Sequence, residues 1–405
     1  IKNLASKDFL MNKMLPNLAD RAIFNLGFRI FFASAAVYAV ISMVLWLFVY
    51  RGGVFSAHMS IAPQYWHGHE MVFGYSMAVV AGFLLTAVGN WTGKTMPSGQ
   101  QLYLIWLPWL FARIIFIVLP QFLWLGVLAD IVFTILFLIS ITKPVIKTKQ
   151  WRQMGILSKI ILMLIANLFC LAATLGWHIG WYYALYLGVF VIIGLVLTIG
   201  RRVTPFFISR GVGYAFEPRN NHYIDRISLI SFVIFFLLEV FASQQLLASL
   251  CALVCALVQA WRLQGWYTRG IWKKPLLWSM FISMACIVFG QLMYFLRIFQ
   301  FGITNSLAMH MMAVGGIGIL SLSMMARVSL GHSGRSIHQP PKTVPWAISL
   351  LSVATVFRVI LPWLMPQHLV IWIIHTQILW LIAFFLLSVS YMNIWRTPRI
   401  DGRAG

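Results

Sequence analysis

Apolar side chains run along this chain in long blocks, and the polar residues fall mainly in the gaps between them. A membrane-crossing helix needs roughly 20 mostly apolar residues, and twelve such stretches can be laid out between Ile30 and Tyr391. The first six fall near 30–50, 69–89, 102–119, 122–142, 156–176 and 179–199. The second six fall near 224–242, 245–263, 276–298, 305–326, 345–363 and 369–392. The pattern predicts an all-α polytopic membrane protein of about twelve transmembrane helices. Residues 1–29 then form an N-terminal segment, 30–392 the transmembrane domain and 393–405 a C-terminal tail.

Composition agrees with that pattern. Of 405 residues, 61% are hydrophobic and only 9% charged, with a mean hydropathy of +0.87, whereas soluble domains carry roughly 25% charged residues. The lipid bilayer is the natural solvent for such a chain. A formal charge of +22 would point to nucleic acid in a soluble protein, but here Lys and Arg sit in the gaps between apolar runs, where positive residues hold cytoplasmic loops. No nucleic-acid partner is expected. Cys170, Cys251, Cys255 and Cys286 lie inside apolar runs without a pairing pattern, so they read as packing residues.

The distribution of charge also orients the chain. Lys2, Lys7, Lys13, Arg21 and Arg29 precede the first span, and Lys143, Lys147, Lys149 and Arg152 separate the fourth from the fifth. Arg201, Arg202, Arg210, Arg219 and Arg226 follow the sixth, and Arg262, Arg269, Lys273 and Lys274 follow the eighth. Of thirty basic residues only Arg51, Arg113, Arg297 and Arg358 belong to the other side. Both termini are therefore expected in the cytoplasm. Residues Ile1 to Asp20 show no apolar core ending in a small-residue cleavage site and are not read as a signal peptide.

Spans 2, 6 and 10 carry the glycines that let helices approach closely: Gly74 and Gly82, Gly188 and Gly194, and Gly315, Gly316 and Gly318. Their spacing suggests three weakly similar four-helix units. The same spans carry the candidate chemistry. His67 and His69 open span 2, His178 opens span 6, and His310 lies about one turn into span 10. All four fall towards the outer side.

A polar group at membrane depth is costly and points to function, and neutral imidazole is a common ligand of haem iron and of copper. Histidines facing each other from spans 2 and 10 could hold a haem by its axial positions. Spacing does not say which of His67 and His69 turns inward. A lone membrane histidine more often bonds a neighbouring helix, which is the plainer reading for His178, His368 and His375.

Haem propionates need cations, and Arg113, Arg297 and Arg358 lie in the outer halves of spans 3, 9 and 11, where they could bind carboxylates bidentately or snorkel to headgroups. Glu70 could orient an imidazole or cap span 2; Asp130 and Glu239 are further embedded acids. Trp46, Trp91, Trp181, Tyr182, Trp346 and Trp363 fit an interfacial belt.

The run Trp66-His67-Gly68-His69-Glu70-Met71, followed by Asn90-Trp91-Thr92-Gly93, resembles the NnrS family. Phe28-Arg29-Ile30-Phe31-Phe32 resembles that family's Phe-Arg-Pro-Phe-Phe, with Ile30 in place of proline. Gly200-Arg201-Arg202-Val203-Thr204-Pro205-Phe206-Phe207 resembles its loop after span 6, and the stretch from Ala326 to Arg335 is similar to its most distinctive segment. The tail from Pro398 to Arg403 agrees as well.

The resemblance implies a bacterial inner-membrane haem protein, also containing copper, linked to denitrification and nitric oxide tolerance. It implies roles for His67, His69 and His310 in the membrane. It also places His332 in the signature loop, which His332 is expected to order. A fainter similarity, in His67-Gly68-x-x-Met71-x-Phe73 and the later Gly89-Asn90-Trp91, is to the haem-copper oxidase catalytic subunit.

These expectations combine into a haem-binding protein, with a b-type haem and with copper as a further cofactor, that binds nitric oxide or protects against it. A membrane electron donor is a further expected partner. A multi-helix transporter and an electron-transfer or scaffold subunit of a respiratory complex are the competing readings.

Overall fold

The computed structural model describes residues 21–52, 61–242 and 244–403. The segment Ile1 to Asp20, with its lysines, lies outside the described residues. Among the described residues there is no β-strand.

The helices fall where the apolar runs place them. In chain order they are α1 (Gly27–Tyr50), α2 (Pro63–Thr92), α3 (Gly99–Val118), α4 (Pro120–Lys147), α5 (Trp151–Thr174) and α6 (Gly180–Gly211). Then come α7 (His222–Leu237, continued by Leu238–Ala242), α8 (Gln245–Trp266), α9 (Pro275–Phe299), α10 (Asn305–His332), α11 (Thr343–Leu364) and α12 (Pro366–Arg396).

Eleven of these are long and apolar enough to cross a membrane. The twelfth, α7, is helical throughout but carries Asp225, Arg226 and Glu239. Two of those charges are paired: Asp225 with Arg262 at 3.2 Å and Arg201 at 3.4 Å, and Glu239 with Arg297.

Three helices run further than the apolar pattern predicts. Pro63 sits at the first helical position of α2, where its fixed φ and missing N–H are no handicap. His67 and His69 therefore lie in the second turn, and Glu70 is past the capping position. The stretch 200–207, expected as a loop, continues α6, because Arg202 finds Gln153 Oε1 at 3.1 Å and the Arg152 carbonyl at 3.0 Å on the start of α5. His332 is likewise the last residue of α10 rather than part of a loop.

The glycine-bearing helices form the centre of the bundle. In each of α2, α6 and α10, 72% of the apolar window is buried inside the protein, against 28–61% for the other spans. Close approach requires the glycines: a Cβ at Gly188 would lie 2.6 Å from Val72, and one at Gly316 2.7 Å from Ile287.

At the end rich in Lys and Arg, the buried Arg29 of α1 donates to the Ile394 carbonyl of α12 at 2.8 Å. The tail folds back there, with Ile400 N donating to Ser333 O at 3.2 Å and Arg399 to His332 O at 3.0 Å. The His332 ring lies against Phe28 there, centroids 5.8 Å apart.

The helices are not regular throughout. Wide π turns interrupt α2 at Glu70–Ser76, α7 at Leu238–Ala242, α10 at Met311–Gly318 and α11 at Val356–Ile360. Such turns are rare and concentrate at functional sites.

Candidate functional site

Three of those π turns lie beside one cavity. It is about 530 Å³ in volume, at the end of the bundle poor in Lys and Arg, and is lined by His67 of α2, His310 of α10 and Arg358 of α11. His310 immediately precedes the π turn of α10, Arg358 lies within that of α11, and His67 precedes that of α2 by three residues. Cavities of roughly 300–1,000 Å³ with mostly apolar walls and a few convergent polar groups hold organic ligands. Met71, Tyr75 and Tyr182 supply part of the remaining wall.

The two imidazoles are held differently. His310 turns Nδ1 to the Ser306 carbonyl at 2.7 Å. A carbonyl only accepts, so Nδ1 carries the proton and Nε2 keeps its lone pair. Arg358 Nη2 lies 3.1 Å from that Nε2 and 3.2 Å from Ser306 Oγ. His67 stacks on Trp46, ring centroids 4.5 Å apart and planes 11° from parallel. Its Nδ1 is buried without a hydrogen-bond partner. Trp46, expected in the interfacial belt, is the plate against which His67 rests.

His69 belongs to a different site. It is fully buried, stacked on Phe116 at 4.1 Å, with Nδ1 2.8 Å from Glu70 Oε1. Glu70 thus supports an imidazole rather than capping a helix. Its other oxygen receives Arg113 at 2.7 Å and the Tyr38 hydroxyl. Arg113 also pairs with Asp130 of α4, which lies 3.6 Å from His69 Nε2. The result is a buried polar knot joining α1, α2, α3 and α4, in which one guanidinium stands between two carboxylates.

The remaining candidates lie elsewhere. Arg297 pairs with Glu239 and touches Asn305, tying α9 to α7 and α10. His178 sits in an exposed turn before α6. His375 donates to the Ile371 carbonyl at 2.8 Å. Cys255 packs against Ser231 at 3.2 Å. Trp181, assigned to the belt, is buried 6.0 Å from the His69 ring.

Arg358 is thus the one of the three candidate arginines with no carboxylate at ion-pair distance among the described residues. Sequence reasoning missed Gln377 and Trp380 of α12, which also line the cavity. Both amide atoms of Gln377 and the indole nitrogen of Trp380 are buried without partners. The available signal was an amide in the middle of an apolar helix.

A planar ligand with an acidic edge and an atom that accepts imidazole would meet complementary groups in this cavity: two imidazoles and a guanidinium with no carboxylate at ion-pair distance among the described residues. Among the described residues no group of three or more His, Cys, Asp and Glu side chains is arranged to hold a metal ion.

Comparison with known proteins adds one match. The family model described as NnrS protein matches residues 22–399. No curated protein matches the chain.

Proposed function

The chain belongs to the NnrS family, and from that premise we propose that this multi-pass membrane protein binds a b-type haem in the cavity between His67 and His310 and serves in nitric oxide binding or tolerance. The observation that carries the reading is the convergence in one cavity of two imidazoles from different helices with a guanidinium that no carboxylate among the described residues neutralises. His310 offers a ring whose tautomer and orientation are set by Ser306 O, the usual way a protein fixes a metal-binding imidazole. The Arg358 guanidinium now lies against Nε2 at 3.1 Å and would have to turn away for iron to be held there. The same side chain is the cation for a propionate. His67, held by stacking alone, is the more readily displaced of the two.

Iron in such a haem supplies affinity for a diatomic ligand. The Lys- and Arg-rich end is proposed to face the cytoplasm of a bacterial inner membrane, which puts the haem near the outer face and both termini inside.

The experiment is spectroscopic. Purified protein expressed with adequate haem should show a Soret band that shifts on adding nitric oxide or carbon monoxide, and His310→Ala should remove the band while the protein still inserts. No band refutes haem binding; a band that neither gas moves points to electron transfer.

A further inference from the structure

Below the histidine cavity, towards the end rich in Lys and Arg, α2, α6 and α10, with Phe32 of α1, line a second, half-open cavity of about 90 Å³. Val79, Val80, Phe83, Val196, Leu320 and Met324 form much of its wall, and no charged side chain among the described residues lines it. Ser76, Thr204 and Ser321 also border it, yet its surface is almost wholly apolar. The Ser321 hydroxyl is already bonded to the Gly318 carbonyl at 2.9 Å and to Tyr75. A buried water needs about 2–4 polar partners, and cavities without them stay dry and take up apolar atoms. The space is also well short of the roughly 300 Å³ at which pockets for drug-sized ligands begin.

Ser76, Ile192 and Ile317 line both cavities. A single layer of side chains therefore separates them. The upper chamber is large and carries His67, His310, Arg358 and Gln377 in otherwise apolar walls, whereas the lower is small and has no such groups, so a large or polar ligand fits only the upper one. A charged or strongly hydrogen-bonding molecule entering the lower one would lose its hydration with little in return. A small uncharged gas that dissolves in lipid loses almost nothing.

We propose that the lower cavity is a docking site for a small uncharged gas molecule, nitric oxide being of this class, one side-chain layer from the histidine cavity, with Ile192 and Ile317 as the partition. The docking site stands on its own walls; only its link to a haem rests on the function proposed above.

Xenon is the probe, because dry apolar cavities bind it. Crystals of the full chain under xenon pressure should show xenon against Phe83, Val196 and Leu320, whether or not the preparation contains haem. No xenon there in the unaltered protein overturns the proposal. Val196→Phe fills the space, and Val196→Leu fills part of it with less risk to folding. Both should lower xenon occupancy and, in haem-loaded protein, slow carbon monoxide recombination after photolysis several-fold. Lost xenon with an unchanged recombination rate overturns the link between the cavities. Xenon bound in a protein that shows no Soret band supports the docking site while removing the haem reading.

Discussion

Arg358 presents Nη2 to His310 Nε2 at 3.1 Å with no carboxylate at ion-pair distance among the described residues. A cation kept inside a helical bundle without an acid is costly, and here it shares the cavity with the imidazole it touches. An incoming carboxylate would relieve that cost.

Arg358→Ala should therefore weaken haem binding without affecting insertion. A charge-assisted hydrogen bond contributes about 1.5–3 kcal/mol, so the haem dissociation constant should rise by about 10–100-fold, with Arg358→Lys between the two. Titration of haem into apoprotein, followed at the Soret band, measures this. Equal affinity in all three proteins would remove Arg358 from the site.

His67 and His69 should behave in opposite ways. His67→Ala removes an imidazole whose ring faces the cavity and should abolish or shift the Soret band. His69→Ala leaves the cavity intact but takes a partner from Glu70, so it should lower thermal stability while keeping the spectrum. The paired spectra and melting curves decide it, and a lost band in His69→Ala alone would reverse the assignment.

That choice shows where the chain could be read and where it could not. The twelve helices follow from runs of apolar residues about as long as the hydrocarbon layer, and even α7, with its three charges, lies where its run predicts. Its two acids are neutralised by Arg262 and Arg297, which come from α8 and α9. Helix ends were less legible, because Arg201 and Arg202 bond neighbouring chain segments and let α6 continue past its apolar core.

Matched depth suggested that His310 pairs with a histidine of α2. Choosing between His67 and His69 requires the helix's rotation, since residues two apart point about 200° from each other. The arginines pose the same problem. Asp130 neutralises Arg113 from α4 and Glu239 neutralises Arg297 from α7, and such tertiary partners leave no trace in spacing.

Arg113 should matter for folding rather than for haem. It is the one arginine between the carboxylates of Glu70 and Asp130, both fully enclosed. Breaking a buried pair by removing one partner typically costs about 3–5 kcal/mol. Arg113→Met should thus sharply reduce the yield of monodisperse protein, and whatever folds should retain the haem spectrum. Glu70→Gln in the same background should recover part of the loss by removing one unpaired charge. Normal stability of Arg113→Met, read from thermal melting, would count against the buried knot.

The tail contact makes a pH-dependent prediction outside the membrane. Arg399 holds Asp401 through Nε at 2.9 Å and Nη2 at 2.6 Å, and this pairing lowers the carboxyl from 3.8 to about 2. A carboxyl depressed in the folded state contributes above its unfolded value, and the contribution disappears as pH falls through the folded one. A spin label at position 403 should accordingly be equally restrained at neutral and mildly acidic pH, then gain mobility as pH drops from about 4 towards 2. Asp401→Asn should show the mobile spectrum already at neutral pH.

Gly334→Ala should do the same for a different reason. Gly334 has φ +77°, and a Cβ there would lie 3.0 Å from the Asp401 carboxyl carbon. The side chain would strain the turn and push Asp401 off the loop it packs against. A restrained label in both variants would mean that the helical contacts of Arg29 and Arg399 hold the tail without the carboxylate.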